Sequence, residues 1–314
     1  SFIVALLTEV AATEHEGQPT LMIGIEEPEL YQHPPQARHL SDVLEQFSAT
    51  GAQVLLASHS PYFISGRGFE SVRMTVKDPA TGRSSVRSLS HHKLSGILAE
   101  AMEEDPAPST ELMARVEQIL QPSQNEMFFS RLPVLVEGVE DVAFLATQFH
   151  LRGDWSEFRK HGGHFVVCGG KTNLSRPLAI AEGLGLPAFV VFDGDFKEGS
   201  DEEAKHRKDN SCILRLAGYP NQEPWQAENA SLGRVTMFGT DMATAVRREL
   251  GDQTWSTVKQ EAKEGMGIPG RLSKKNTLWI AGTLERLNEQ GTRVAALDAV
   301  CGSILAYAEA LEGV

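Results

Sequence analysis

The chain has 314 residues, enough for two domains with their own cores, and its 41% hydrophobic and 23% charged content fits a globular protein and excludes a disordered or fibrous one. A net charge of −13 argues against a nonspecific polyanion binder, which usually carries a basic surface. No apolar run approaches a membrane span, and three distant cysteines, Cys168, Cys212 and Cys301, form neither a disulfide framework nor a zinc knuckle, which fits a reducing cytoplasm.

In chain order, "SFIVALLTEVAATEHEG" lacks the basic start and small-residue cleavage site of a signal peptide and reads as an amphipathic helix over residues 1–15. "TLMIGIEEPEL" begins as a continuous apolar, buried strand. "PPQARHLSDVLEQFSATG" is a helix with Pro at its start and Gly past its end, and "AQVLLASHS" is a second buried strand. "SVRMTVKDPATGRSSVRSLS" predicts a hairpin around Asp78–Gly82. Residues 91–130 read as helical, with a break at "EDPAPST". A second pattern then starts: strand 133–137, helix 140–151, strand 164–168, helix 174–184 and strand 188–193. Such alternation means a parallel sheet flanked by helices. "SDEEAKHRKDN" (200–210) reads as a mobile, solvated loop, "RVTMF" (234–238) as a further strand, and the remainder from 241 as helices broken at "GMGIPGRLS".

Two groups of residues carry chemistry. In "MIGIEEPELYQHP" and "LLASHSPYFI", Glu26 and Glu27 end one strand and His59 ends another. Adjacent strands would present them at one sheet edge, where open α/β sheets bind ligands, and two acids with a His suit phosphoryl transfer. "EEPE…HP" followed by "SHSP" resembles the C-terminal half of an ABC-type ATPase head. That resemblance makes Glu26 a Mg²⁺ support, Glu27 the catalytic carboxylate and His59 the γ-phosphate switch. The sequence has no G-x-x-x-x-G-K-[ST] phosphate loop, so this chain alone is expected to bind ATP poorly, and the half that holds the loop is expected to precede Ser1.

The second group begins in "VLVEGVEDVAFL", residues 134–145. Glu137 ends a strand, and Asp141 falls on the first turn of the next helix. "PAFVVFDGDF" delivers Asp193 and Asp195 to the end of a later strand, on one side of an extended backbone. If the strands are neighbours, four carboxylates converge. Packed acids raise one another's pKa unless a cation intervenes, and hard oxygen ligands suit Mg²⁺ or Mn²⁺. Two such ions could activate water and stabilise the leaving oxygen of a phosphodiester. Lys171 in "GGKTN" sits at a strand-to-helix turn, either meeting a phosphate or solvated in a loop.

E-G-x-x-D followed by D-x-D resembles the Toprim domain, over roughly residues 131–240. An ABC-type half-head followed directly by Toprim resembles the nucleases of the OLD (overcoming lysogenization defect) family. The resemblance implies four regions: residues 1–95, the C-terminal part of an ATPase domain; 96–130, a helical linker; 131–240, the catalytic Toprim domain; and 241–314, a helical C-terminal region. It implies metal-dependent nicking or cutting of DNA, a role in phage defence or DNA repair, ATP use by the intact protein, and a cytoplasmic homodimer formed through the ATPase head. By the same resemblance Glu137 is a catalytic and metal residue, Asp141, Asp193 and Asp195 hold metal, Asp241 adds to the second metal site, and Lys274 or Lys275 in "LSKKNTLWIAGTLERL" neutralises the transition state. Ala243 departs from the pattern, standing where a Glu is expected. A topoisomerase lacks a recognisable Tyr context here, and a primase lacks its zinc ribbon. The rival from another class is a noncatalytic DNA-organising ATPase dimer with a degenerate Toprim platform, against which the intact Glu137…Asp193-Gly194-Asp195 set argues.

Overall fold

The computed structural model describes residues 21–78, 81–267 and 276–312. The helix expected over residues 1–15 and most of the "GMGIPGRLS" break lie outside them. The first described unit is a strand–helix–strand: β1 (Met22–Glu26), α1 (Pro34–Ala49) and β2 (Gln53–Ala57), with β1 and β2 paired in parallel. Helix α1 buries Ala37, Leu40, Leu44 and Phe47, spaced on one helical stripe, against Ile23, Ile25, Val54 and Leu56. The expectation of strands buried on both faces is corrected: Met22 and Leu55 are exposed, and burial alternates along both strands. Among the described residues only α1 covers this two-stranded sheet, so one face packs and the other stays open.

The expected hairpin is present as β3 (Met74–Lys77) and antiparallel β4 (Ser84–Arg87). Arg87 leaves its end and donates to the carbonyls of Leu184 (3.2 Å) and Gly185 (2.8 Å). Helices α2 (His91–Met102) and α3 (Ser109–Ile119) flank the "EDPAPST" break. They do not hang as a free linker. Leu94, Leu98, Leu112 and Val116 share one buried core with Leu174, Leu178 and Ile213 of the following domain.

That domain is built on a five-stranded sheet of order β6-β5-β7-β9-β8. Its strands are β5 (Leu132–Val136), β6 (Gly163–Val167), β7 (Phe189–Asp193), β8 (Ala230–Leu232) and β9 (Val235–Phe238). All pairs are parallel except β8–β9, an edge that sequence periodicity did not reveal. The connecting helices are α4 (Val139–Arg152) with the short α5 (Trp155–Lys160), α6 (Lys171–Leu184) and α7 (Glu203–Leu216). The first crossover runs from β5 out to β6; the next returns past β5 to β7. Right-handed crossovers therefore put α4 on one face and α6 and α7 on the other. The core records this split. Leu132, Val134, Val136, Phe189 and Val191 pack with α4 residues Phe144, Leu145 and Phe149, whereas Leu135, Val190 and Phe192 pack with α6 and α7. The chain reverses direction of travel at the β5/β7 boundary, the topological switch point where such sheets bind ligands.

The loop expected at 200–210 is also corrected. Residues from Glu203 form the first turns of α7, and Asn210 is fully buried. The polar composition of "SDEEAKHRKDN" belongs to one exposed helix face. The tail folds as α8 (Met242–Leu250), α9 (Asp252–Gly265), α10 (Thr277–Glu289) and α11 (Ala295–Glu312), of which α10 and α11 pack against α4.

Candidate functional site

The carboxylates of the second sequence group do converge, at the C-terminal ends of neighbouring β5 and β7. Glu137 follows β5 directly. Its carboxylate Oε1 accepts the backbone N–H of Asp193 at 2.9 Å, so one strand end holds the other. Its carbonyl accepts the N–H groups of Gly169 and Gly170, both at 2.9 Å, which brings the turn after β6 alongside. Those glycines have φ of 77° and 109°, a region that a side chain disfavours, and this explains the glycine pair. Asp141, buried on the first turn of α4, accepts the Gly138 N–H at 2.8 Å. Asp193 Oδ1 accepts the N–H of Met242 at 3.1 Å.

Gly194 lets the "DGD" segment run close beside the end of β9. A Cβ there would meet the carbonyl oxygens of Gly239 and Phe238 at 2.7 and 2.8 Å. Instead of a simple Asx turn, the segment extends the ladder: Gly194 N–H donates to Phe238 (2.6 Å), Asp195 to Thr240 (2.9 Å) and Phe196 to Gly239 (2.9 Å). Asp195 itself sits at φ 57°, a conformation uncommon outside glycine and enriched at functional sites. Lys171 is not a solvated loop lysine. It is buried, and its ammonium donates to Asp195 Oδ2 (2.6 Å) and to the Asp193 carbonyl (2.9 Å).

Negative charge outweighs its compensation here. Burial, then the charges of Asp141 and Asp195, push the Glu137 carboxyl up to about 7, against the lowering pull of the Asp193 N–H and Lys171. Burial and the neighbouring Glu137, Asp141, Asp241 and Asp195 push Asp193 well above the usual carboxylate range. Asp241, at the end of the sheet, caps α8 by accepting both the N–H (2.8 Å) and the hydroxyl (2.6 Å) of Thr244.

Three contributors escaped sequence reading because they lie on the segment taken for a loop or beyond it. His206 Nδ1 stands 3.4 Å from Asp195 Oδ2, and its ring stacks on Trp225 with centroids 5.9 Å apart. Asn210 donates to the carbonyls of Gly194 (2.9 Å) and Pro224 (2.7 Å), locking the "DGD" turn from beneath. The Thr240 hydroxyl is buried with no partner beside it. Helical spacing places His206 and Asn210 on one face, a signal that an amphipathic reading of 203–216 would have found. Lys274 and Lys275 lie outside the described residues.

The first sequence group is also brought to one edge. Register pairs Glu26 with Ala57, so Glu26, Glu27 and His59 lie at the same end of the β1–β2 pair. Glu27 has φ 47° and donates its N–H to Ala57 at 2.7 Å. Glu29, not singled out from sequence, clamps the loop: it accepts from the Ser58 hydroxyl and the His59 N–H, each at 2.8 Å.

Comparison with known proteins finds a match over each of the two segments. Residues 128–195 match the family model "Overcoming lysogenization defect protein-like, TOPRIM domain", and residues 1–64 match "AAA ATPase domain". An OLD nuclease of Thermus scotoductus is 28% identical over 192 residues, covering 59% of this chain and 33% of the relative. The chain thus spans about a third of that curated relative. Among solved structures, the C-terminal region of the Burkholderia pseudomallei OLD protein overlays 57% of this chain and 97% of its own, at 16% identity and a TM-score of 0.39. The corresponding region of the Xanthomonas campestris pv. campestris protein overlays 60% of this chain and 98% of its own, at 14% identity and a TM-score of 0.37.

The chain therefore combines an ATPase-type segment with a Toprim domain in one α/β architecture. It is a relative of the OLD proteins, and its Toprim domain is of the OLD-like type. Domains of these two types imply divalent-metal and nucleotide binding in general. The Toprim residues fit a divalent cation by donor chemistry: hard carboxylate oxygens, excess negative charge and an unpartnered buried hydroxyl at Thr240. Among the described residues no three His, Cys, Asp or Glu side chains are already arranged as a ligand set. One oxygen of each carboxylate engages a backbone N–H group or Lys171. Among the described residues no helix is long and apolar enough to cross a membrane.

Proposed function

We propose that this chain carries the catalytic centre of a Mg²⁺- or Mn²⁺-dependent OLD-type DNA endonuclease. The supporting observation is the convergence of Glu137, Asp141, Asp193 and Asp195 at the sheet's switch point, with Glu137 held near neutral pKa. Glu137, Asp141, Asp193 and Asp195, with Asp241, would hold up to two cations, which supply Lewis acidity and charge neutralisation for phosphoryl transfer when bound. The protein's own groups do the rest. Glu137, held at the end of β5 by the Asp193 N–H, would serve as a metal ligand or accept a proton from an attacking water. Lys171 fixes Asp195, and the Gly169–Gly170 turn fixes Glu137. Lys274 or Lys275 would stabilise developing negative charge on the phosphoryl oxygens.

In the intact protein, Glu26, Glu27 and His59 would contribute to ATP hydrolysis once a phosphate loop completes the head. The reading extends to a cytoplasmic homodimer joined through that head, acting in phage defence or DNA repair. The test is supercoiled-plasmid nicking with Mg²⁺, Mn²⁺, Ca²⁺ or EDTA, alongside Asp193→Ala and Glu137→Ala. Metal-dependent nicking lost in both variants is expected, by at least about a hundredfold, as for removal of a principal charge-stabilising group. A folded wild-type chain that is inert in every metal, alone and in a longer chain that includes the phosphate loop, would overturn the reading.

A further inference from the structure

Several basic side chains of this acidic protein are paired with acids where they stand. Lys160 pairs with Glu157, Arg207 with Glu203 and Glu223, Lys208 with Glu104, and Arg234 with Glu182. Even the basic run at 158–164 is absorbed locally: Arg159 donates to the Gly163 carbonyl, and His161 pairs with Glu312. One place differs. A cavity of about 380 Å³ opens between α3, α6 and the end of β6, lined by Arg115, Gln118, Gln124, Thr172, Asn173 and Arg176 among others. No acid lines it. Arg115 keeps an i,i+4 contact with Glu111, but the half-buried Arg176 has no acidic partner among the described residues. Burial, then the facing Arg115, lowers the proton affinity of Arg176, the mark of two like charges sharing a partly dry space.

The cavity adjoins the carboxylate cluster through the chain itself. Lys171, which grips Asp195, is followed by Thr172 and Asn173 on the cavity wall, and Cys168 begins the same turn. The wall also contains the first turn of α6, whose dipole favours an anion. Gln124 and Asn173 spend amide donors on the carbonyls of Val167 and Gly169, which fixes the wall. The Arg176 guanidinium is left to meet a ligand, with Arg115, held by Glu111, bordering the same space. Arginine forks match phosphate oxygens in geometry as well as charge.

We infer that the Arg115–Arg176 cavity is a cradle for a backbone phosphodiester of the nucleic-acid strand presented to the carboxylate cluster; this rests on reading that cluster as a phosphodiesterase site. The strand would be held on the far side of the Gly169–Gly170 turn while its neighbouring phosphate lies at Asp193 and Asp195. A phosphate contact of this kind positions the strand and carries no sequence information.

The experiment is fluorescence anisotropy of the full chain with a labelled duplex in Ca²⁺ across a KCl series, with melting curves for every variant. Arg176→Gln and Arg115→Gln are each expected to weaken binding by about five- to tenfold at about 50 mM salt, and to reduce the log K against log [salt] slope by about one. Arg176→Lys should retain the slope. Gln118→Glu, at an exposed position on the cavity wall, places an acid at the rim and should weaken binding at least as much. Wild-type affinity and slope in both Arg176→Gln and Gln118→Glu, with unchanged melting, would overturn the cradle. So would inorganic phosphate protecting Arg176 from chemical modification where duplex does not, because the cavity then takes a free anion. Nicking separates the two readings. Arginine-dependent binding without nicking in any metal sinks the nuclease and leaves the cradle; normal nicking with arginine variants that bind like wild type does the reverse.

Discussion

Replacing Glu137 by Gln in metal-free protein should change how stability depends on pH. The Glu137 carboxyl is raised from 4.5 to about 7, chiefly by burial, with Asp141 and Asp195 adding to the effect. The unfolded chain therefore loses this proton first. Between about pH 4.5 and 7 the folded state binds more protons, so stability is full below the window, falls as pH rises through it, and is level above. A rise from 4.5 to about 7 corresponds to about 3 kcal/mol. Gln keeps the oxygen that accepts the Asp193 N–H, so the contact between strand ends survives while the titration is removed. It also lightens the charge around Asp193, which acts in the same direction. The assay is urea unfolding in EDTA at pH 4, 5, 6, 7 and 8, comparing variant with wild type. The advantage of the variant should grow by about 3 kcal/mol from the acid end to the alkaline end. An offset that stays constant within about 0.5 kcal/mol across the series would refute the account of a buried, proton-holding Glu137.

Other outcomes follow from the same geometry. Gly194→Ala forces a Cβ to within 2.7 Å of the Gly239 oxygen, so β7 and β9 must part, at about 2–3 kcal/mol by urea unfolding. Asn210→Ala strips the donor from the buried Gly194 carbonyl and the part-buried Pro224 carbonyl, with a loss of about 2–3 kcal/mol and weaker nicking from a loosened "DGD" turn. Mn²⁺ added to the metal-free chain should raise its melting temperature progressively with concentration, and Asp193→Asn should flatten that response; equal shifts in both proteins would place the ion elsewhere.

Much of this was legible because the chemistry coincides with strand ends. Apolar runs closed by Glu137 and by Asp193-Gly194-Asp195 located both the elements and the carboxylates, and parallel alternation made β5 and β7 plausible neighbours. What stayed hidden depends on tertiary packing. "SDEEAKHRKDN" has the composition of a loop, and only the buried side of α7 reveals His206 and Asn210 as supports of the "DGD" turn. Lys171 was ambiguous for the same reason: a lysine after Gly-Gly is ordinarily solvated, and its burial against Asp195 exists only once β6 and β7 flank β5. The β1 and β2 strands read as buried on both faces because an apolar run does not disclose how many layers cover it.

The carboxylate cluster also explains why its fixed parts are backbone. Asp193 N–H holds Glu137, Gly138 N–H holds Asp141, and Met242 N–H holds Asp193. Each is a donor that cannot swing away, so the acids stay near one another even though their charges repel. Lys171 is the one buried ammonium that opposes five acids among the described residues, and it is committed to Asp195. The remaining charge must be met by protons or by a cation. Protons suffice in metal-free protein, which is why Glu137 and Asp193 are both raised. A cation would compete with those protons, so metal affinity should strengthen as pH rises through about 7, where Glu137 gives up its proton. Isothermal titration with Mn²⁺ at pH 6 and pH 8 reads this directly: tighter binding at pH 8, with proton release seen at pH 6, is expected, whereas pH-independent affinity would mean that the ion does not engage Glu137.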